Sequence, residues 1–447
     1  MSVDLSLVDS ALVPSPAGLR VPPTASARTP AGTDVVVVAL PVVPLVELRV
    51  RVPLGQAPPA QAALLAHSLL HPRRTVAGEQ LDVIIRRLGG TLHASVDADA
   101  LHIRGTCLAG SAAHALRLVL RALSTLTEDD VRAQVPEAAQ MSAMAHAGPS
   151  LAALETLNLG AYGTAHPYGR PSAAPQDVLA VDPQDVLELA YRRVGPDGAT
   201  VVLAGDLDVD RALDDTAEAL ATWAPAGPPL RPVPVPHDLS GPVLLNERPG
   251  QVHTCLRAVL TVVGRTDPSY AALKVANLVL GGYFSSRLVH DLRERRGASY
   301  GAQTAFVHAG AGSLLLASVD VAATTSADGL VALGTALDDV VDRPVTPDEL
   351  VHARGHAVGA QILTLARQSS VADWAVELAQ DGHDLHWVAE HVAQLADVGL
   401  ADVHAAAAAH LGSARAALAV TADDRRRDAL QAAATALGRE LRTVGAH

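Results

Sequence analysis

Two histidines four residues apart are the first groups in this chain suited to chemistry. They lie in Leu64-Leu65-Ala66-His67-Ser68-Leu69-Leu70-His71-Pro72, an apolar run that reads as a helix from about Ala60 to His71. At i and i+4, His67 and His71 would project from one helix face and offer a metal ion a two-point grip. A hydrolytic zinc site needs more: a third ligand, and a carboxylate that takes a proton from metal-bound water. In the helical pattern H-x-x-E-H that base is the residue before the second histidine. Here it is Leu70, which cannot take a proton. Downstream, in residues 127–150, Glu137 is the one carboxylate near the place where a third ligand is expected. Pro136 directly before it disturbs the helical pattern. The expectation is a degenerate motif of His67, Leu70 and His71, holding no metal.

A second group lies in the other half of the chain. Gly281-Gly282-Tyr283-Phe284-Ser285-Ser286-Arg287-Leu288 follows an apolar helix. The glycines stop that helix, and Ser285 or Ser286 can cap the next. The next helix carries Arg287, His290, Asp291, Arg293, Glu294, Arg295 and Arg296 and stops at Gly297. Tyr300 opens a strand that runs to Val307. On pattern alone the arginines fit a solvated helix end, where cations are favoured.

These groups must be positioned by elements, and the 447 residues carry them twice. Val46-Glu47-Leu48-Arg49-Val50-Arg51-Val52 alternates as a half-buried strand does, and a loop and the histidine helix follow. In the second half a strand-like run spans about Thr254–Val263, followed by a helix from about Tyr270 to Leu280. The halves also end alike. A strand at Ala199–Gly205 leads to a helix reaching Trp223, and a strand near Ala414–Ala422 leads to a final helix reaching about Leu441. Separations of roughly 200–215 residues indicate duplication of a whole domain. Residues 224–241, dense in proline, read as a connector between residues 1–223 and 242–447. Without regular βαβ alternation the fold class is α+β, twice over: a mainly antiparallel sheet with flanking helices in each half.

Composition narrows the function. The net charge is −13 and aromatics are 2%, which argues against nucleic-acid binding by phosphate contacts or base stacking. Hydrophobic residues make up 49%, and Lys274 is the single lysine. Cys107 and Cys255 are expected as two buried thiols, too few for a disulfide framework. Residues 1–20 lack a basic start and an apolar run, and no stretch of about 18 apolar residues occurs. The expected location is cytoplasmic, with no membrane partner.

The segment Leu280-GGYFSSRLVHDLRERRGASYGA resembles the second-domain signature of the pitrilysin/insulinase-like (processing-peptidase-like) zinc peptidases, G-G-x-F-S-S-R-L followed by R-E-x-R-G-x-x-Y. Arg293 and Tyr300 keep its spacing. Leu88-Gly89-Gly90, His166-Pro-Tyr-Gly-Arg-Pro, Val202-Leu-Ala-Gly-Asp-Leu-Asp and Thr346-Pro-Asp-Glu-Leu-Val-His-Ala-Arg resemble further family segments, so the likeness spans nearly the whole chain. It implies two sheet-and-helix halves forming one side of a clam shell that closes around an unstructured peptide. It also implies that an Arg and a Tyr reach the zinc site of the facing subunit. By this resemblance the chain is the incomplete subunit of a heterodimeric metallopeptidase. It would supply Arg293 and Tyr300 in trans to an H-x-x-E-H partner that holds the zinc, and cleave peptides, possible leader peptides among them. The alternatives are a non-enzymatic core-type structural or peptide-binding subunit, and a homodimeric metallopeptidase with an atypical site.

Overall fold

The computed structural model describes residues 19–228, 232–297 and 299–445, without the side chains of residues 294, 295, 299 and 300. In chain order its strands are β1 (Thr24–Arg28), β2 (Asp34–Ala39), β3 (Leu45–Pro53), the short ribbon β4 (Thr75–Val76) and β5 (Glu79–Gln80), β6 (Thr91–Val96), β7 (Ala100–Leu108) and β8 (Thr200–Gly205). The second half contributes β9 (Val243–Glu247), β10 (His253–Val262), β11 (Ser299–Ala309), β12 (Gly312–Ala322), β13 (Ala417–Ala422) and β14 (Leu441–Val444). Two six-stranded sheets result, ordered β1-β2-β8-β3-β7-β6 and β14-β9-β13-β10-β12-β11.

The duplication expected from sequence is present in the pairing itself. β3 runs antiparallel to both β7 and β8, while β2 is parallel to β8. β10 runs antiparallel to both β12 and β13, while β9 is parallel to β13. Only the outer strand differs. β1 precedes its sheet in sequence and pairs antiparallel with β2; β14 follows its sheet and pairs parallel with β9. The helix expected to reach Leu441 therefore stops at Ala436, and β14 takes up the chain beyond it.

Strand β3 corrects the reading of a half-buried strand. Its even-numbered residues Val46, Leu48, Val50 and Val52 pack on the helices of their own half, as the alternation implies. The odd-numbered Glu47, Arg49 and Arg51 are buried too. Helix Gln368–Gln380, from the second half of the chain, lies across that face of the first sheet. In exchange, helix Pro149–Tyr162 from the first half lies on β10 and β13. Each sheet thus wears a helix from the other half, and charge on a strand marks this crossing.

Two arginines make the crossing in matching ways. Arg49 donates to the carbonyl of Leu48, to that of Gly105 on β7, and to the carboxylates of Glu47 (2.9 Å) and Asp373 (2.7 Å). Arg257 donates to the carbonyls of Leu256 and of Val319 on β12, to Asp320 (2.8 Å), and to Ser150 of the visiting helix (2.8 Å). A buried guanidinium persists only with its donors filled, and these two are filled by the same strand geometry.

The LGG segment is explained by closeness of backbone. A Cβ on Gly90 would lie 1.7 Å from the carbonyl oxygen of Thr106 on β7, so only glycine fits there. Cys107 and Cys255 are buried and free, and burial pushes each thiol up to about 11. No helix among the described residues is long and apolar enough to cross a membrane.

Candidate functional site

The histidine helix runs from Pro59 to Leu69, so His71 lies just beyond it and not on its last turn. Pro72 is the cause: a residue before proline is disfavoured in the helical region, and Leu70 already leaves it at ψ 27°. The two rings still meet, with centroids 6.0 Å apart. Leu70 is 7% exposed and belongs to the apolar core of the first half. The position that a general base would hold is a packing position here.

Glu137 comes closer than its sequence context suggested. Pro136 lies inside the helix Glu128–Ala147, which runs through it unbroken, opened by a capping box between Thr127 and Asp130. This helix packs on Pro59–Leu69, and the Glu137 carboxylate stands 3.5 Å from His71 Nε2. His67 Nε2 is buried without a hydrogen-bond partner. Burial pulls the His67 imidazole below its ordinary pKa, opposed by Glu137 and assisted by His71.

An orphaned imidazole is the kind of atom a metal would satisfy, so the donor set decides whether zinc fits. Among the described residues no group of three or more His, Cys, Asp or Glu is placed to hold a metal ion. His71 Nε2 stands against the Glu137 carboxylate, and the place of the base is filled by the buried, apolar Leu70 side chain. The residues do not fit a catalytic zinc, and no hydrolytic step is derived through one.

On the second half, helix Tyr270–Asn277 continues as a π-helical turn Leu278–Gly282 that delivers the double glycine. Helix Arg287–His290 passes into another π-helical turn, Asp291–Arg295. Wide turns of this kind re-aim side chains, and they are frequent at functional sites. Ser286 occupies the N-cap position without a capping hydrogen bond, and its hydroxyl is buried without a partner. Arg293 is exposed, its guanidinium 4.8 Å from the ring centroid of Phe284, itself 64% exposed. Both line a cavity of about 300 Å³ with Gly281, Gly282 and Gln303. Tyr300 lies on β11, and its side chain is outside the described ones.

The arginine of the F-S-S-R segment is different in kind from Arg293. Arg287 has a largely enclosed side chain that bridges three stretches of chain. It holds Glu349 through two hydrogen bonds of 2.8 Å, Asp339 at 3.0 Å, and the carbonyls of Arg343 and Pro344. Two signature-like segments, one around Arg287 and one around Thr346–Glu349, therefore touch. Sequence reasoning placed both but gave no sign that they meet.

This contact has a pH signature. Hydrogen bonds from Arg287, then the backbone N–H of Thr346, hold the Glu349 carboxyl down at about 2. A depressed carboxyl contributes stability fully above its unfolded pKa of about 4.3, and loses it as pH falls towards the folded value. Glu349→Gln is therefore expected to lower the urea midpoint at pH 7, with the gap from wild type closing between about pH 4.5 and 2. A gap that stayed constant over that interval would contradict the assignment.

The HPYGRP loop is a latch as well as a turn. His166 accepts from the backbone N–H of Tyr168, shaping a single 3₁₀ turn at Pro167–Gly169. The Tyr168 hydroxyl donates to Asp99 (2.7 Å) at the β6–β7 tip and accepts from the N–H of Ala311 at the β11–β12 tip. The N–H of Gly310 donates to the same Asp99. Burial, then the Asp99 charge, pushes the Tyr168 phenol far up, so it remains a donor. Sequence gave no pointer to this role, because its partners lie 69 and 143 positions away.

Comparison with known proteins agrees with this architecture. Residues 180–355 match the family described as peptidase M16 inactive domain. A zinc protease of Mycobacterium tuberculosis, itself uncharacterized, is 29% identical over 229 residues, 49% of this chain and 50% of the relative. The chain thus spans about half the length of the curated relatives it matches. The crystal structure of a peptidase M16 inactive domain from Pseudomonas fluorescens superposes with a TM-score of 0.80 at 21% identity, over 90% of this chain and 98% of that one. A protease from Helicobacter pylori gives 0.76 at 18% identity, over 90% and 99%. At such identities the structural likeness speaks for the fold. Residues 180–355 are thus similar to the M16 peptidase inactive domain, and the chain as a whole shares the fold of the M16-like peptidases.

Proposed function

We propose that the chain, 1–223 and 242–447 being its two halves, is the catalytically silent partner in a two-chain peptidase. The observation that carries this reading is Leu70, packed into the core where a base would have to stand between His67 and His71. The zinc belongs to a partner subunit with an intact H-x-x-E-H helix, and this chain contributes Arg293 and Tyr300 to the partner's site. Support comes from the exposure of Arg293 beside a cavity, at the end of a helix widened by a π-helical turn. A cationic donor preorganised where negative charge develops stabilises the transition state without reorganising. The substrate is an unstructured peptide, since an extended strand can add to a sheet edge. An acidic, aromatic-poor composition speaks against nucleic acid, and the cytoplasm is the proposed location.

The test is reconstitution. The purified chain alone is expected to leave an unstructured peptide uncut, and addition of an H-x-x-E-H family partner to produce cleavage. A chain that cleaved alone, with stoichiometric zinc, would overturn the reading.

A further inference from the structure

Arg51 is the one member of the charged face of β3 that the fold leaves unanswered. It is 9% exposed. Among the described residues its guanidinium makes no hydrogen bond and no ion pair, whereas Arg49, two positions away on the same face, fills its donors. The acids whose charges act on Arg51 are committed elsewhere. Asp97 accepts from the backbone N–H groups of Asp99 and Ala100 and sits 2.8 Å from His102 Nε2. Asp99 accepts from Tyr168 and Gly310.

The duplication supplies a control within the molecule. Arg49 and Arg257 make equivalent contacts on equivalent strands, so the counterpart of Arg51 is Val259. Val259 is buried in an apolar cluster with Leu157 of the visiting helix. The fold therefore does not require a charge at this position. A guanidinium kept there against its desolvation cost needs a partner to offset it.

Space for one is present. Arg51 lines two adjoining cavities of about 260 and 300 Å³ between the two halves. The first is lined by Tyr168, Gly310 and Val233 of the connector, with Asp34 and Asp99 on its wall; the second is lined by Arg49, Arg104 and His308, with Asp97, Asp99, Asp373 and Glu377 on its wall. Thr200 on β8 is in register with Arg51 and lines the first cavity, bringing a hydroxyl to the same side.

We propose that this seam is a binding site for a small oxyanion, a carboxylate or phosphate group received by Arg51 with Thr200 beside it. A planar guanidinium fork matches either group through two parallel N–H donors. The ligand reaches both halves of the chain at once, through the β3 face on one side and the β11–β12 tip on the other. The inference is independent of the proposed peptidase role.

The experiment is calorimetric titration of the full chain with inorganic phosphate and, separately, acetate, at constant ionic strength. One saturable site is expected in the wild type for at least one of the two. Arg51→Val, which installs the residue of the other half, is expected to weaken it by at least about tenfold, and Arg51→Lys to fall between. Equal binding by wild type and Arg51→Val, or no binding of either anion by the wild type, overturns the proposal. Should Arg51→Val fail to fold, a wild-type crystal grown in phosphate decides. Density for the ion against the Arg51 guanidinium supports the site, and water alone there refutes it.

Discussion

Arg293→Ala, introduced into the reconstituted pair, is expected to lower kcat/KM by about 10²–10³-fold, the scale measured for removing one preorganised donor from an oxyanion site. The loss should fall on kcat, because the donor meets charge that exists only in the transition state. KM should change little. Arg293→Lys keeps the charge but loses the planar fork, and should recover activity only in part. Phe284 enters the same prediction. Its ring lies 4.8 Å from the guanidinium carbon and gives the exposed side chain a surface to rest on. Steady-state kinetics of the mixture checks these expectations. Full activity of Arg293→Ala would remove the trans-site role, while leaving the degenerate zinc motif as observed.

Arg49→Ala should destabilise the isolated chain by about 3–5 kcal/mol, the typical result of taking one partner from a buried ion pair. The guanidinium is nearly enclosed and its loss strands Glu47, whose carboxylate is also enclosed and would keep only the Thr106 hydroxyl as a donor. It also unpins helix Gln368–Gln380, because Arg49 reaches Asp373 and the carbonyl of Ser369. The double variant with Glu47→Gln should recover part of the loss, since no unpaired charge then remains. Denaturant unfolding of the single and double variants measures this. A loss below about 1 kcal/mol for Arg49→Ala would mean the pair merely survives burial, with no part in holding the two halves together.

Much of this was legible in the chain. Period-two alternation located β3 and a strand-like apolar run located β10, each within a residue or two, and the matching separations of the halves gave the duplicated α+β architecture. Leu70 could be read directly, because a side chain without a proton acceptor settles a catalytic role by type alone. What stayed hidden lies across the chain and not along it. The odd-numbered residues of β3 looked solvent-facing because alternation reports two unlike faces, without saying what covers the polar one. The helix that covers it comes from more than 300 residues away. Pro136 suggested a broken helix, yet proline removes one hydrogen bond and bends a helix that tertiary packing can still hold. The final helix was overrun because the alanine-rich stretch before Leu437 keeps helical propensity, while β14 forms only where β9 offers a free edge. The roles of Arg287 and Tyr168 required partners that no local pattern specifies.

The central claim is that this chain contributes to peptide-bond cleavage only by completing another subunit. The most direct measurement is hydrolysis of an unstructured peptide by the purified chain, by an H-x-x-E-H family partner, and by their equimolar mixture, with zinc content determined for each. Cleavage by the mixture well above the sum of the separate chains, with zinc only in the partner, is the predicted result. Cleavage by this chain alone with one bound zinc, or a mixture no faster than the partner by itself, would contradict it.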